Sequence, residues 1–229
     1  MTVWSERSPE PWAAVVAACE EHPGVDPTRS RFGDAGEPLP DPEAVLPLRF
    51  VRHGATAPNQ AGLRCGGDLD VPLVELGRRQ AEEAGLRIAR LRPRVGLIVT
   101  SDMLRTRETA ALIAKHLPGV PTLVEPGFAE RRLGDWNLRS VNQTQPWLKA
   151  RMTPPGGESD DEFVDRVAHA LRRIKAHLYE RPLLVGSKGV ARVMGELIGV
   201  PHRLELDNGV VTEFDFAQRP CLQTTWSAL

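Results

Sequence analysis

Lysine is scarce in this chain. Only Lys115, Lys149, Lys175 and Lys188 carry an ammonium group among 29 basic residues, and the remainder are arginine. That bias fits a GC-rich genome, and it draws notice to a lysine at any special position. Cysteine is scarcer still. Cys19, Cys65 and Cys221 are far apart and odd in number, which argues against a disulfide framework or a thiolate metal site and suits a reducing cytoplasm. No apolar run approaches the roughly 20 residues of a membrane-spanning helix. The opening Met1-Thr2-Val3-Trp4-Ser5-Glu6 lacks the basic-then-apolar order of a signal peptide, so none is expected. Charge of one sign is not in excess either: the net charge is -1, which offers no general attraction to nucleic acid or to an acidic membrane.

What remains is a chain of 229 residues, 41% apolar and 26% charged, enough to bury the core of one large domain. Residues 1–45 read differently from the rest. Pro11 to Glu20 suits one short helix with proline in its first turn, and the prolines and glycines from Pro23 to Pro42 read as an extended connection. This arm is too short for its own core, and it is expected to pack on the domain of residues 46–229 or on a second copy, which allows a homodimer.

From residue 47 strand and helix alternate. Leu48–Val51, Val95–Val99, Pro121–Val124, Pro182–Val185 and Gly209–Phe216 read as strands. Helices are expected over Leu73–Leu91, residues 102–117 and Gly189–Ile198, with Ser101 or Asp102 capping the second. Ser159 and Glu162 form a capping box for a further long helix with apolar residues Phe163, Val164, Val167, Ala168, Leu171, Ile174 and Leu178. Residues 126–157 read as loop-rich. The alternation implies a three-layer α/β/α sandwich with a largely parallel sheet, in which ligands bind beyond the carboxyl ends of the strands.

One such strand end, Leu48-Arg49-Phe50-Val51-Arg52-His53-Gly54, with Asn59 just beyond, carries groups suited to anion chemistry. Arginine offers a bidentate fork to phosphate, and histidine a nucleophilic nitrogen near neutral pH. Arg105 falls in the first turn of the second helix, where a helix N-terminus adds to the attraction. Glu130 places a carboxylate in the loop after the third strand.

Taken together, these segments resemble the histidine phosphatase superfamily, the phosphoglycerate mutase-like fold. Arg52-His53-Gly54-x-Thr56-x-x-Asn59 matches its Arg-His-Gly signature. Arg64 to Leu73 with Leu76-Gly77 and Gln80-Ala81 matches the next segment, Ser101, Arg105 and Thr109 the second phosphate-binding arginine, Glu130 with Gly134 and Trp136 the acidic loop, and Pro155 to Ser159 the stretch before the late helix. The resemblance implies that His53 is phosphorylated by the substrate and then discharged. It also implies that Arg52 and Arg105 hold the phosphoryl group with Asn59 as a neutral donor, that Gly67 binds substrate, and that Glu130 acts as acid and then base. No metal or other cofactor is implied, and the expected partner is a small phosphorylated or anionic metabolite.

The main departure from the family lies in one turn. Where a second active-site histidine is expected after Leu183-Leu184-Val185, the chain reads Gly186-Ser187-Lys188-Gly189, and Lys188 is taken to stand in as a phosphate-binding cation. His22, His116, His169, His177 and His202 lie in no matching motif. Gly66, where the family often carries a polar side chain, is expected to widen the pocket. Three functions compete: a phosphatase of a small metabolite, a member repurposed by Lys188, and a phosphoglycerate-type mutase. The last is disfavoured by the short segment between Trp136 and Gly156.

Overall fold

The structure is a computed structural model that describes residues 48–197 and 206–214. The expected N-terminal arm and its helix lie outside the described residues. Five strands form the sheet: β1 (Leu48–Arg52), β2 (Leu97–Thr100), β3 (Thr122–Val124), β4 (Pro182–Gly186) and β5 (Val211–Phe214). Their order is β3-β2-β4-β1-β5. The first four run parallel, and β5 closes the edge antiparallel to β1.

The helices are α1 (Ala57–Gln60), α2 (Glu75–Ile88), α3 (Leu104–Ala114), α4 (Val141–Lys149), α5 (Asp160–Ile174) and α6 (Lys188–Leu197). Alternation along the strands decides which helices cover which face. Leu48, Phe50, Leu97, Val99 and Leu184 pack with Phe163, Val167, Leu171 and Ile174 of α5 and Val190 and Met194 of α6. Val51, Ile98, Leu183 and Val185 face Ala84 and Ile88 of α2 and Ala110 and Ile113 of α3. Both faces of the sheet are therefore buried, as the continuous apolar runs require, and the α/β sandwich is confirmed.

The capping box of α5 is present: Ser159 Oγ accepts from the Glu162 N–H at 3.2 Å, and Glu162 Oε2 accepts from the Ser159 N–H at 2.8 Å. The cap of α3 differs from expectation. Neither Ser101 nor Asp102 caps it; Asp70 Oδ1, from the loop crossing the helix start, accepts the Leu104 N–H at 2.8 Å. The loop-rich segment also contains α4, despite Pro146 in its interior. Ser140 Oγ caps this helix by accepting the Asn142 N–H at 3.2 Å, and Trp147 lies against Trp136 with ring centroids 5.1 Å apart. Among the described residues no helix is long and apolar enough to cross a membrane.

Candidate active site

The register of β1 against β4 creates the centre. Arg52 pairs with Gly186, and the His53 N–H donates to the Gly186 carbonyl at 2.9 Å. His53 and Ser187 thus follow equivalent positions at the carboxyl edge of two adjacent strands. The His53 ring is buried, and its Nδ1 lies 2.8 Å from the Gly54 carbonyl. A carbonyl only accepts, so Nδ1 carries the hydrogen and Nε2 keeps its lone pair. Burial, then the charges of Arg105 and Arg52, hold the imidazole pKa well below its usual 6.5, opposed only by the Gly54 hydrogen bond. The result favours a neutral histidine with one nitrogen fixed and the other keeping its lone pair.

Two guanidinium groups flank it. Arg105 is fully buried, and donates from Nη1 to the Leu69 carbonyl at 3.0 Å and from Nη2 to the Gly66 carbonyl at 3.2 Å. Arg52 Nη1 donates to the Leu206 carbonyl at 2.7 Å. Its pKa is lowered, chiefly by burial, with Glu130 and Asp207 opposing that shift, and it stays charged at neutral pH. Arg52 Nε, Arg105 Nε and Ser187 Oγ are all buried without a hydrogen-bond partner. Buried polar atoms in folded proteins are ordinarily paired, so three uncommitted donors around one histidine mark a place for an anion.

Glu130 completes the wall. Its Oε1 accepts the Arg131 N–H at 2.8 Å, and its Oε2 the Gly189 N–H at 3.0 Å. Glycine at 189 leaves room for this placement of the carboxylate, which a Cβ there would displace. Arg166 on α5 holds the segment from behind, donating to the Gly127 and Ala129 carbonyls at 3.0 Å and to the Glu130 carbonyl at 3.3 Å. It also pairs with the buried Glu158 at 2.7 Å.

The structure thus gathers Arg52, His53, Arg105 and Glu130. Asn59 is close by: its Oδ1 accepts the Thr56 N–H at 3.2 Å in the capping box of α1. Gly67 runs close to the Glu130 main chain. Its N–H donates to the Arg131 carbonyl at 2.8 Å, tying two loops together. At Gly66 a Cβ would come within 2.8 Å of the Leu133 nitrogen and 2.9 Å of the Arg131 oxygen, so this glycine lets the two loops approach. Asp68 locks the same loops by accepting from the N–H groups of Leu133 (3.0 Å) and Gly134 (2.7 Å) and from Asn137 Nδ2 (2.7 Å).

Lys188 is exposed at the first position of α6, and the buried side chain of this turn is that of Ser187. Three contributors escaped the sequence reading: Ser187, Arg166 and Asn208. The visible signal for Asn208 was the Asp207-Asn208-Gly209 turn, whose Gly209 N–H donates to the Arg52 carbonyl at 2.9 Å. His116, His169 and His177 are engaged elsewhere, with Glu82, the Asp165 carbonyl and Glu180; His22 and His202 lie outside the described residues. No cluster of metal-ligating side chains exists among the described residues.

The chain is similar in sequence and fold to known proteins. The model of the Histidine phosphatase superfamily (branch 1) matches residues 48–228. A protein of Photorhabdus laumondii named "Probable phosphoglycerate mutase GpmB" is 34% identical over 199 residues, covering 80% of this chain and 90% of that protein. Its counterpart of the same name in Klebsiella pneumoniae is 33% identical over the same span. The crystal structure of the alpha-ribazole phosphatase from Shigella flexneri superposes with a TM-score of 0.68 at 25% identity, covering 80% of this chain and 96% of that one.

Proposed function

Because the chain belongs to the histidine phosphatase superfamily, branch 1, we propose that it hydrolyses a small phosphate monoester through a phosphohistidine at His53. The observation that carries this reading is the neutral, Nδ1-anchored His53 surrounded by the uncommitted Arg52 Nε, Arg105 Nε and Ser187 Oγ. His53 Nε2 attacks phosphorus in line as the bond to the ester oxygen breaks, and Glu130 delivers a proton to that leaving oxygen. Water then attacks phosphorus, Glu130 takes its proton, and the nitrogen–phosphorus bond breaks to release inorganic phosphate. Arg52 and Arg105 hold the phosphoryl oxygens as charge gathers on them, with Asn59 as a neutral donor beside them. Lys188, at the exposed start of α6, adds positive charge at the rim of the pocket. The chemistry asks for no metal, since the side chains supply the positive charge.

The relatives named as phosphoglycerate mutases favour a second reading, in which an alcohol replaces water as the acceptor. Both readings share the first half-reaction. The test is phosphate release from a panel of small phosphate esters by the unmodified protein and by His53→Ala, with acid-labile, base-stable labelling of the protein by a radiolabelled ester. Loss of both signals in His53→Ala is expected. Undiminished phosphate release by that variant removes the mechanism. Transfer of label to an added alcohol in preference to water selects the mutase reading.

A further inference from the structure

The hydroxyl of Ser187 is uncommitted in a setting where serine is normally occupied. The Ser187 carbonyl accepts the Ala191 N–H at 3.1 Å, which makes Ser187 the N-cap of the ten-residue α6. An N-cap serine ordinarily turns its oxygen onto the second or third N–H of its helix. Thr56, Ser140 and Ser159 do so in this molecule, accepting from Asn59, Asn142 and Glu162. At α6 the second N–H, that of Gly189, is already held by Glu130 Oε2. Glu130 has taken over the cap, and Ser187, a residue 1% exposed, is left with its Oγ buried and without a hydrogen-bond partner.

Its location gives that hydroxyl a use. Ser187 succeeds Gly186, whose carbonyl binds the His53 N–H, so the two residues leave the sheet side by side. The same place receives the positive end of the α6 dipole, which favours an anion. Arg52 Nε and Arg105 Nε are the other buried uncommitted donors of this pocket.

Resting on the phosphohistidine reading, we infer that Ser187 is a substrate-binding residue whose hydroxyl, at the N-terminus of α6, seats one oxygen of the phosphoryl group that His53 receives. Ser187, and not Lys188, then occupies the place at this turn where a second imidazole was expected. The group held there is met by a neutral donor and a helix end in place of a further cation. A hydroxyl is also much smaller than an imidazole, so the wall beside His53 recedes. The chemistry fits a dianionic phosphate monoester whose charge is balanced mainly by Arg52 and Arg105.

The experiment measures the affinity for inorganic phosphate by calorimetry, and kcat/KM for an aryl phosphate monoester, on the full chain. Ser187→Ala should weaken phosphate binding about tenfold, the worth of one buried hydrogen bond, and lower kcat/KM to match. Ser187→Thr, which keeps the hydroxyl, should restore most of both. The same Ser187→Ala step in a His53→Ala background should again weaken phosphate binding, because that measurement needs no phosphohistidine. Failure of the catalytic reading is therefore separable from failure of the seat. Unchanged phosphate affinity in Ser187→Ala overturns the inference, as does a loss carried by Lys188→Ala and absent from Ser187→Ala. Absence of phosphate binding by the unmodified protein overturns it too.

Discussion

Asn208 Nδ2 donates to the main-chain carbonyl of His53 at 2.7 Å and lies 3.5 Å from Asn59 Oδ1. One side chain in the turn before β5 therefore braces the residue proposed as the nucleophile. The brace acts on backbone, so it fixes where His53 leaves the strand without touching the imidazole. Asn208→Ala should lower stability by about 1 kcal/mol, the usual cost of such a bond. It should reduce kcat more than it raises KM, since a shifted nucleophile loses alignment while both arginines still bind the ester. Steady-state kinetics with a denaturant titration checks both. Equal changes in kcat and KM with no loss of stability would show that the contact is incidental.

His53 gives a pH dependence of defined sign. Burial and the neighbouring arginines hold its folded pKa well below 6.5, so in the window between the two values the unfolded chain binds a proton that the folded chain refuses. Its contribution to stability is complete above pH 6.5 and is lost as pH falls toward the folded value. The slope is at most about 1.4 kcal/mol per pH unit. His53→Gln, uncharged throughout, should lack this component when denaturant unfolding is compared at pH 7.5 and about one unit below 6.5. For the same reason the acid limb of kcat/KM should lie below 6.5. A bound phosphate ester offsets the two arginine charges, so the acid limb of kcat should lie above that of kcat/KM. Identical pH profiles of stability in the two proteins would refute the assignment.

What the sequence made visible was whatever depended on near neighbours or on a strong pattern. The buried runs of β1, β2 and β4 and the Ser159–Glu162 box are local signals, and each appears in the structure. Helix α4 was hidden because Pro146 breaks its local pattern. It is secured from a distance, by Arg64 donating to Thr144 Oγ1 and Gln145 Oε1 at 2.7 Å. The Asp70 cap of α3 spans 34 residues, beyond the reach of a local motif. Ser187 illustrates the harder case. Beside it, a rare lysine drew the eye, yet burial and the diversion of the Gly189 N–H to Glu130 single out the serine. Those facts exist only once β4, α6 and the Glu130 loop have come together.

Glu130 holds two positions at once, and they can be separated. Both its oxygens accept backbone N–H groups, from Arg131 and Gly189, so the carboxylate caps α6 as well as facing the site. A Gln substitution keeps the shape and one acceptor oxygen but removes the transferable proton. If Glu130 protonates the leaving oxygen, Glu130→Gln should slow alkyl phosphate esters by roughly 100-fold or more. Aryl esters, whose phenolate departs without much help, should slow far less. The cap contributes to both substrates alike, and its loss should appear as a lower melting temperature of about the size expected for a missing helix cap, near 1 kcal/mol. Measuring kcat/KM for one alkyl and one aryl ester, with a melting curve on the same preparation, distinguishes the roles. An equal loss on both esters together with a lower melting temperature would mean that Glu130 shapes the pocket and leaves the proton to another donor.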